Sequence, residues 1–239
     1  MSMDNQQRKG KAVTVEPSDA KTSATAAPAR RSQAERSEDT RKKVLKAAAQ
    51  LMRTRGYGGL RTGEVAELAG VSRGAQLHQF ATKNDLIVAT LLYLNEKTLA
   101  TSRRRAKAAQ KSDDPIGELI ADAKDFFFGD YFFIELTIGM ADDQNQDLRQ
   151  RTYPITRETR FKVEAAWLAT LEAHGMPKQL AADVLAMSMS LVRGFAMRTL
   201  IDNDRQRFDA LLKQWRDIME DHIAAHAQPR STSKTEITQ

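Results

Sequence analysis

The chain has 239 residues, 41% of them hydrophobic, which is ample for a buried core and within the globular range. It contains no cysteine, which excludes disulfides, thiolate zinc sites and a cysteine nucleophile. No run approaches the roughly 18 unbroken apolar residues a membrane span requires. The formal net charge is +6, so the question becomes where the surplus cations lie.

Along the chain, positions 1–36 are rich in Ala, Ser, Thr, Lys and Gln and nearly free of large apolar residues. Such a segment buries too little surface to offset its chain entropy and is expected to be a disordered tail. It begins MSMDNQQRKGKAV, with no apolar run behind its charges. No secretory signal is therefore expected, and a cytoplasmic location is. A first helix is expected from position 37, with Val44, Ala48, Leu51 and Met52 on one apolar stripe, ending at Gly56. A short helix follows over about 62–69, burying Val65, Leu68 and Ala69, and Gly70 breaks it. Ser72 is placed to cap a third helix that ends near Phe80. Thr82 and Asp85 form a capping box opening a long helix that runs to about position 111.

Asp113-Asp114-Pro115 marks another helix start, with Pro suited to the first turn. Gly129 and Gly139 punctuate the Phe-rich stretch beyond it. Further helices are expected over about 145–173, with Gly175 after the end, then about 177–203 and 204–227, and a frayed end over 228–239. Strand-type alternation appears nowhere over a useful length. The expected architecture is all-α, with a head over 37–82 and a helical body over 83–227.

Charge concentrates in the head. Between Thr40 and Ile87 nine basic residues (Arg41, Lys42, Lys43, Lys46, Arg53, Arg55, Arg61, Arg73, Lys83) face three acids (Glu64, Glu67, Asp85), so this segment carries the whole chain's surplus. A compact basic segment on a neutral body points to a polyanion partner. Within it, TGEVAELAGVSRGAQLHQF reads as short helix, turn, short helix, a helix-turn-helix. Ala66 is small where helices cross, Gly70 permits the reversal, and the second helix turns its N-terminal residues outward.

TRKKVLKAAAQLMRTRGY, EVAELAGVSRGAQLHQF and TKNDLI, in that order and spacing, resemble the DNA-binding head of the TetR family of transcriptional regulators. The resemblance implies a helix-turn-helix head on a ligand-binding, dimerising helical bundle. It places Ser72 at the cap and Arg73, Gly74, Ala75, Leu77 and His78 at groove-facing positions. Arg61, Thr62 and Lys83 fall at positions that grip phosphates. Three departures stand out: Arg61 where the family has Ser or Thr, Leu77 and Gln79 where it often has aromatics, and Gln76 where an apolar residue is common. For Leu77, packing inside the head stands level with a groove contact; Phe80 reads as core.

Tyr93, Phe127, Phe132, Phe133, Met140, Tyr153 and Trp167 are candidates for an apolar pocket between bundle helices, against the alternative of ordinary core. Leu185, Met189, Val192, Ala196, Phe208, Leu212 and Trp215 form stripes on the last two helices, which in the family make a four-helix dimer interface. No catalytic constellation is found, and an enzyme is not expected. His222 and His226 stand at i, i+4 without a third ligand of quality, and the Asp143-x-Asn145-x-Asp147 run has Leu148 where a calcium loop needs Gly. No metal or cofactor is therefore expected. The expected partners are a palindromic double-stranded operator, an apolar or aromatic small-molecule effector and a second copy of the chain, with no membrane. The expected function is a ligand-responsive homodimeric repressor; the alternative is a helical binding or interaction module without DNA readout.

Overall fold

A computed structural model of the chain describes residues 32–140 and 146–227. Most of the expected tail, the frayed end at 228–239, and Asp143 and Asn145 of the rejected calcium loop lie outside those residues. Among the described residues there are nine helices and no strand, as the periodicity predicts.

Helix α1 (Gln33–Arg55) starts earlier than position 37 because Ser32 and Glu35 make a capping box. Ser32 Oγ accepts the Glu35 N–H at 3.1 Å while the Ser32 N–H donates to Glu35 Oε2 at 2.7 Å. Helix α2 (Thr62–Ala69) ends at Gly70, whose φ of 65° and ψ of 37° are left-handed. The Val71 N–H then closes the turn on Ala66 O at 3.0 Å. A side chain at this position costs about 1–2 kcal/mol in backbone strain. Gly70→Ala is therefore expected to lower the unfolding free energy by that amount, read from urea unfolding followed by circular dichroism, and an unchanged midpoint contradicts the assignment.

Helix α3 (Arg73–Gln79) begins at Ser72, whose Oγ accepts the Ala75 N–H at 3.1 Å. The expected capping box of Thr82 and Asp85 opens α4 (Lys83–Ala109). The Asp85 carboxyl is held below the usual carboxylate range, first by the Thr82 hydroxyl and then by Arg151. Asp114 caps α5 (Pro115–Phe127), its Oδ1 accepting the Gly117 N–H at 2.7 Å. Helices α6 (Asp130–Gly139), α7 (Gln146–Ala173), α8 (Lys178–Arg198) and α9 (Arg205–Ala227) complete the described chain.

Two apolar cores organise the packing. The head core joins Val44, Ala48, Met52, Val65, Phe80, Leu86 and Leu91, and Tyr131, Ile134 and Ile138 of α6 and Leu148 of α7 close it. Helices α4 and α6 contribute to both cores. The body core lies where α4 packs along α7 and α5 along α8. Helix α8 is long and apolar enough to cross a membrane by length and composition, but its apolar side is buried in the body core.

The body corrects several expectations. Leu185, Met189, Val192, Ala196, Phe208 and Leu212, assigned from their stripes to a dimer interface, are buried inside the protomer. Trp215 is partly buried there and donates to Ser188 Oγ at 2.9 Å. The reason is geometric: the most regular apolar stripe of a helix faces its own core first. What α8 and α9 leave outside is a different set, including Met187 (44% exposed) and Ile218 (49%). In the head, Leu68 was expected inside but is 46% exposed.

Candidate nucleic-acid interface and body cavity

Helix α3 is held from behind and open in front. Gln76 and Phe80 are buried beneath it, Arg41 lies over the Phe80 ring at 5.0 Å, and Gln79 Nε2 donates to Ser37 Oγ at 2.8 Å. Arg73, Gly74, Leu77 and His78 are exposed, at the i, i+1, i+4, i+5 spacing of one helix face, and Ala75 is half-buried beside them. Leu77 is 55% exposed, which settles its burial: it is not part of the head core.

Arg61, Thr62, Arg73 and Lys83 line a single cleft between α2, α3 and the start of α4, with Gln76 at its base. The Arg73 guanidinium folds against α2, where a Cβ on Gly63 would meet it at 3.0 Å. Lys83 Nζ donates to Gly58 O at 3.0 Å, and burial, then repulsion from Arg61, pulls its pKa below the ordinary lysine value. Crowded cations of this kind gain when a phosphate arrives between them. Gln76 Nε2 is buried with no partner. Sequence reasoning missed both Gly63 and Gln76 as parts of this cleft, although a polar residue at a position the family keeps apolar was the visible signal. The head's charge is also less free than its count implies, since Arg53 pairs with Asp130 at 3.2 Å and Arg55 pairs with Glu64.

Behind the head, a cavity of about 370 Å³ opens between α4, α5, α6 and α7, with Met189 of α8 at its edge. None of the residues expected to line a pocket lines this one. Phe127, Phe132 and Trp167 are core, Phe133 packs against that core, and Tyr93 packs on the head core. Met140 (75% exposed) and Tyr153 (67%) face outward. The aromatic cluster contributes Phe126 and Tyr131 instead, and the rest of the wall mixes apolar residues with Asn95, Ser102, Arg105, Asp122, Glu135 and Arg160. Aromatic residues filled the core first, because they bury the most apolar surface.

The wall's acids are nearly all engaged. Asp122 accepts Trp167 Nε1–H at 2.8 Å and also bonds Ser102 and Arg105. Asp125 pairs with Arg105 and Asp130 with Arg53. Glu135 accepts the Tyr131 hydroxyl and, at 2.8 Å, the Thr156 hydroxyl. Burial pushes up the pKa of both the Glu135 carboxyl and the Tyr131 hydroxyl.

A short helix, a left-handed glycine turn, and a second helix with one open face flanked by cations define a helix-turn-helix DNA-binding protein. Residues 44–90 match the family of bacterial regulatory proteins named tetR. Over 197 residues, 82% of this chain and 97% of the relative, the sequence is 38% identical to the HTH-type transcriptional regulator CymR of Pseudomonas putida. The chain belongs to the TetR family and is a sequence-specific DNA-binding transcriptional regulator.

Solved structures agree on the fold. A TetR-family regulator from Mesorhizobium loti superposes with a TM-score of 0.62 at 18% identity, covering 80% of this chain and 98% of that one. A transcriptional regulator from Saccharomonospora viridis in complex with choline superposes with a TM-score of 0.60 at 17% identity, covering 78% and 98%.

Proposed function

We propose that the protein is a cytoplasmic, homodimeric repressor that leaves its operator when a small molecule fills the body cavity. The observation that carries the DNA half is the open face of α3 flanked by Arg61, Thr62 and Lys83. In this reading Arg73 swings from Gly63 into the major groove to pair with guanine O6 and N7, and Leu77 or Ala75 meets a thymine methyl. Arg61, Thr62 and Lys83 contact phosphates, which position the head without reading sequence. Ser72 caps α3 and leaves its first turn close to the backbone, and His78 extends the same face.

A two-fold dimer would place two α3 helices about 34 Å apart on one side of a palindrome. The exposed apolar residues of α8 and α9 support self-association through those helices. The effector half rests on α4: its first residue, Lys83, lies in the head cleft, while Asn95, Ser102 and Arg105 line the cavity. Asp130 of the cavity wall also pairs with Arg53 of α1. A ligand that fits one setting of α4 better than the other then shifts head spacing by that difference in affinity.

Selection of bound sequences from a random DNA pool tests the readout. Arg73→Ala is expected to relax preference at one base position per half-site, by about 1–3 kcal/mol of discrimination. An unchanged preference removes Arg73 from base recognition.

A further inference from the structure

The cavity holds two polar groups that the protein leaves unsatisfied. Asn95 is 3% exposed, and neither the nitrogen nor the oxygen of its amide has a hydrogen-bond partner. Buried amides are almost always paired, and an unpaired one costs stability. Arg160 is the second. It is partly buried, its guanidinium carbon lies 5.0 Å from the Phe126 ring centroid and 4.7 Å from that of Phe127, and among the described residues it forms no ion pair. Glu164 and Glu135 favour its charge only from beyond pairing reach, and Arg193 opposes it.

The surrounding charges make the asymmetry decisive. Asp122, Asp125, Asp130 and Glu135 all have donors within the protein, and Arg105 is taken by Asp122 and Asp125. Lys97 lies over the Tyr93 ring at 4.6 Å. The desolvated cation without an ion-pair partner among the described residues is Arg160. Leu94, Ala123, Phe126, Val163 and Met189 supply apolar wall around it.

We infer that this cavity binds a small organic anion with an apolar or aromatic body, its acid group meeting the Arg160 guanidinium and the Asn95 NH2. The inference rests on the reading of the cavity as the effector site, and it adds the sign of the ligand's charge. A carboxylate suits the site because it accepts from the planar guanidinium in a forked arrangement, while the Asn95 NH2 donates to it.

The test uses the full-length dimer and three probes that share one body: 2-naphthoate, 2-naphthamide and 2-naphthylmethylammonium, with decanoate as a second acid of different shape. Binding is measured by calorimetry and operator release by gel shift. One of the acids is expected to bind roughly ten- to a hundredfold more tightly than the neutral and cationic probes. Arg160→Met, which keeps the chain over the phenyl rings, is expected to erase that preference, the acid losing far more affinity than the amide. Arg160→Lys retains part of it. Should Arg160→Met fail to fold, the head-group ranking on the unmodified protein and on Asn95→Ala decides. Equal binding of acid and amide, preference for the ammonium, no binding of either acid, or a preference that survives Arg160→Met overturns the inference. Acid-selective binding without operator release supports the anion site and removes the effector reading; release by the amide or ammonium alone does the reverse.

Discussion

Raising monovalent salt from about 50 to about 200 mM is expected to weaken operator binding by roughly a thousandfold or more. A dimer contacting on the order of six to ten phosphates loses about 10³–10⁵ in affinity over that range, because each contact releases condensed counterions. Each head offers Arg61, Thr62 and Lys83 at the cleft, and Lys43 and Lys46 are exposed on α1. Arg61→Ala separates this term from the rest. In the proposed dimer, with Arg61 on a phosphate in each head, the substitution is expected to remove two contacts and lower the log–log salt slope by about two. The loss is expected to be the same for every DNA sequence, because phosphates carry no base information. Lys83→Ala is a less clean probe, since Lys83 also holds Gly58 O within the head. A slope that Arg61→Ala does not change removes this residue from the phosphate contacts.

Trp167→Ala is expected to lower the melting temperature by roughly 6–20 °C, from a loss of about 3–5 kcal/mol. Trp167 is fully buried where α7 meets α4 and α5, and its indole N–H reaches Asp122 at 2.8 Å and Ser102 at 3.2 Å. Truncation leaves a large cavity and takes a donor from a buried carboxylate. Trp167→Phe helps to separate the two effects: the six-membered ring stays, while the N–H goes with the smaller ring that carries it. The expected loss is then about 1.5–3 kcal/mol, the usual worth of a hydrogen bond to a charged group. Thermal melts followed by circular dichroism read both. A melting temperature unchanged by Trp167→Ala contradicts the packing described for this core, and an equal loss from Phe and Ala assigns the site to the hydrogen bond instead of the ring.

Much of the head was legible because its signals are local. Gly70, Ser72, Thr82 and Asp85 each act within four residues along the chain, and each took the expected role. The basic surplus and the exposed face of α3 follow from the same short stretch. What could not be read there was which cations are neutralised from afar: the Arg53 pair with Asp130 joins residues 77 positions apart.

The body was harder for a related reason. Apolar periodicity says that a helix has an inner face, but not what lies across from it. Leu185, Met189 and Phe208 were therefore assigned outside the protomer when they lie inside it. Pocket walls invert the ordinary signal as well. Large aromatics such as Phe127 and Trp167 fill space, whereas the cavity is marked by polar residues that interrupt a buried stripe. On α4 that stripe runs Leu91, Asn95, Ser102, Ala106, Ala109 at helical spacing, and two of its members are polar. Asn95 and Ser102 were the sequence-level trace of the cavity, and a search for aromatic clusters passes over them.

The central claim is that α3 enters the major groove at two symmetric places, and methylation interference reads it most directly. Guanine N7 lies in the major groove and adenine N3 in the minor groove. With operator DNA methylated at both, binding is expected to be blocked by guanine N7 methylation at two symmetry-related positions about one helical turn apart, and Arg73→Ala is expected to abolish that block. Interference confined to adenine N3, or a guanine pattern without two-fold symmetry, would contradict the account.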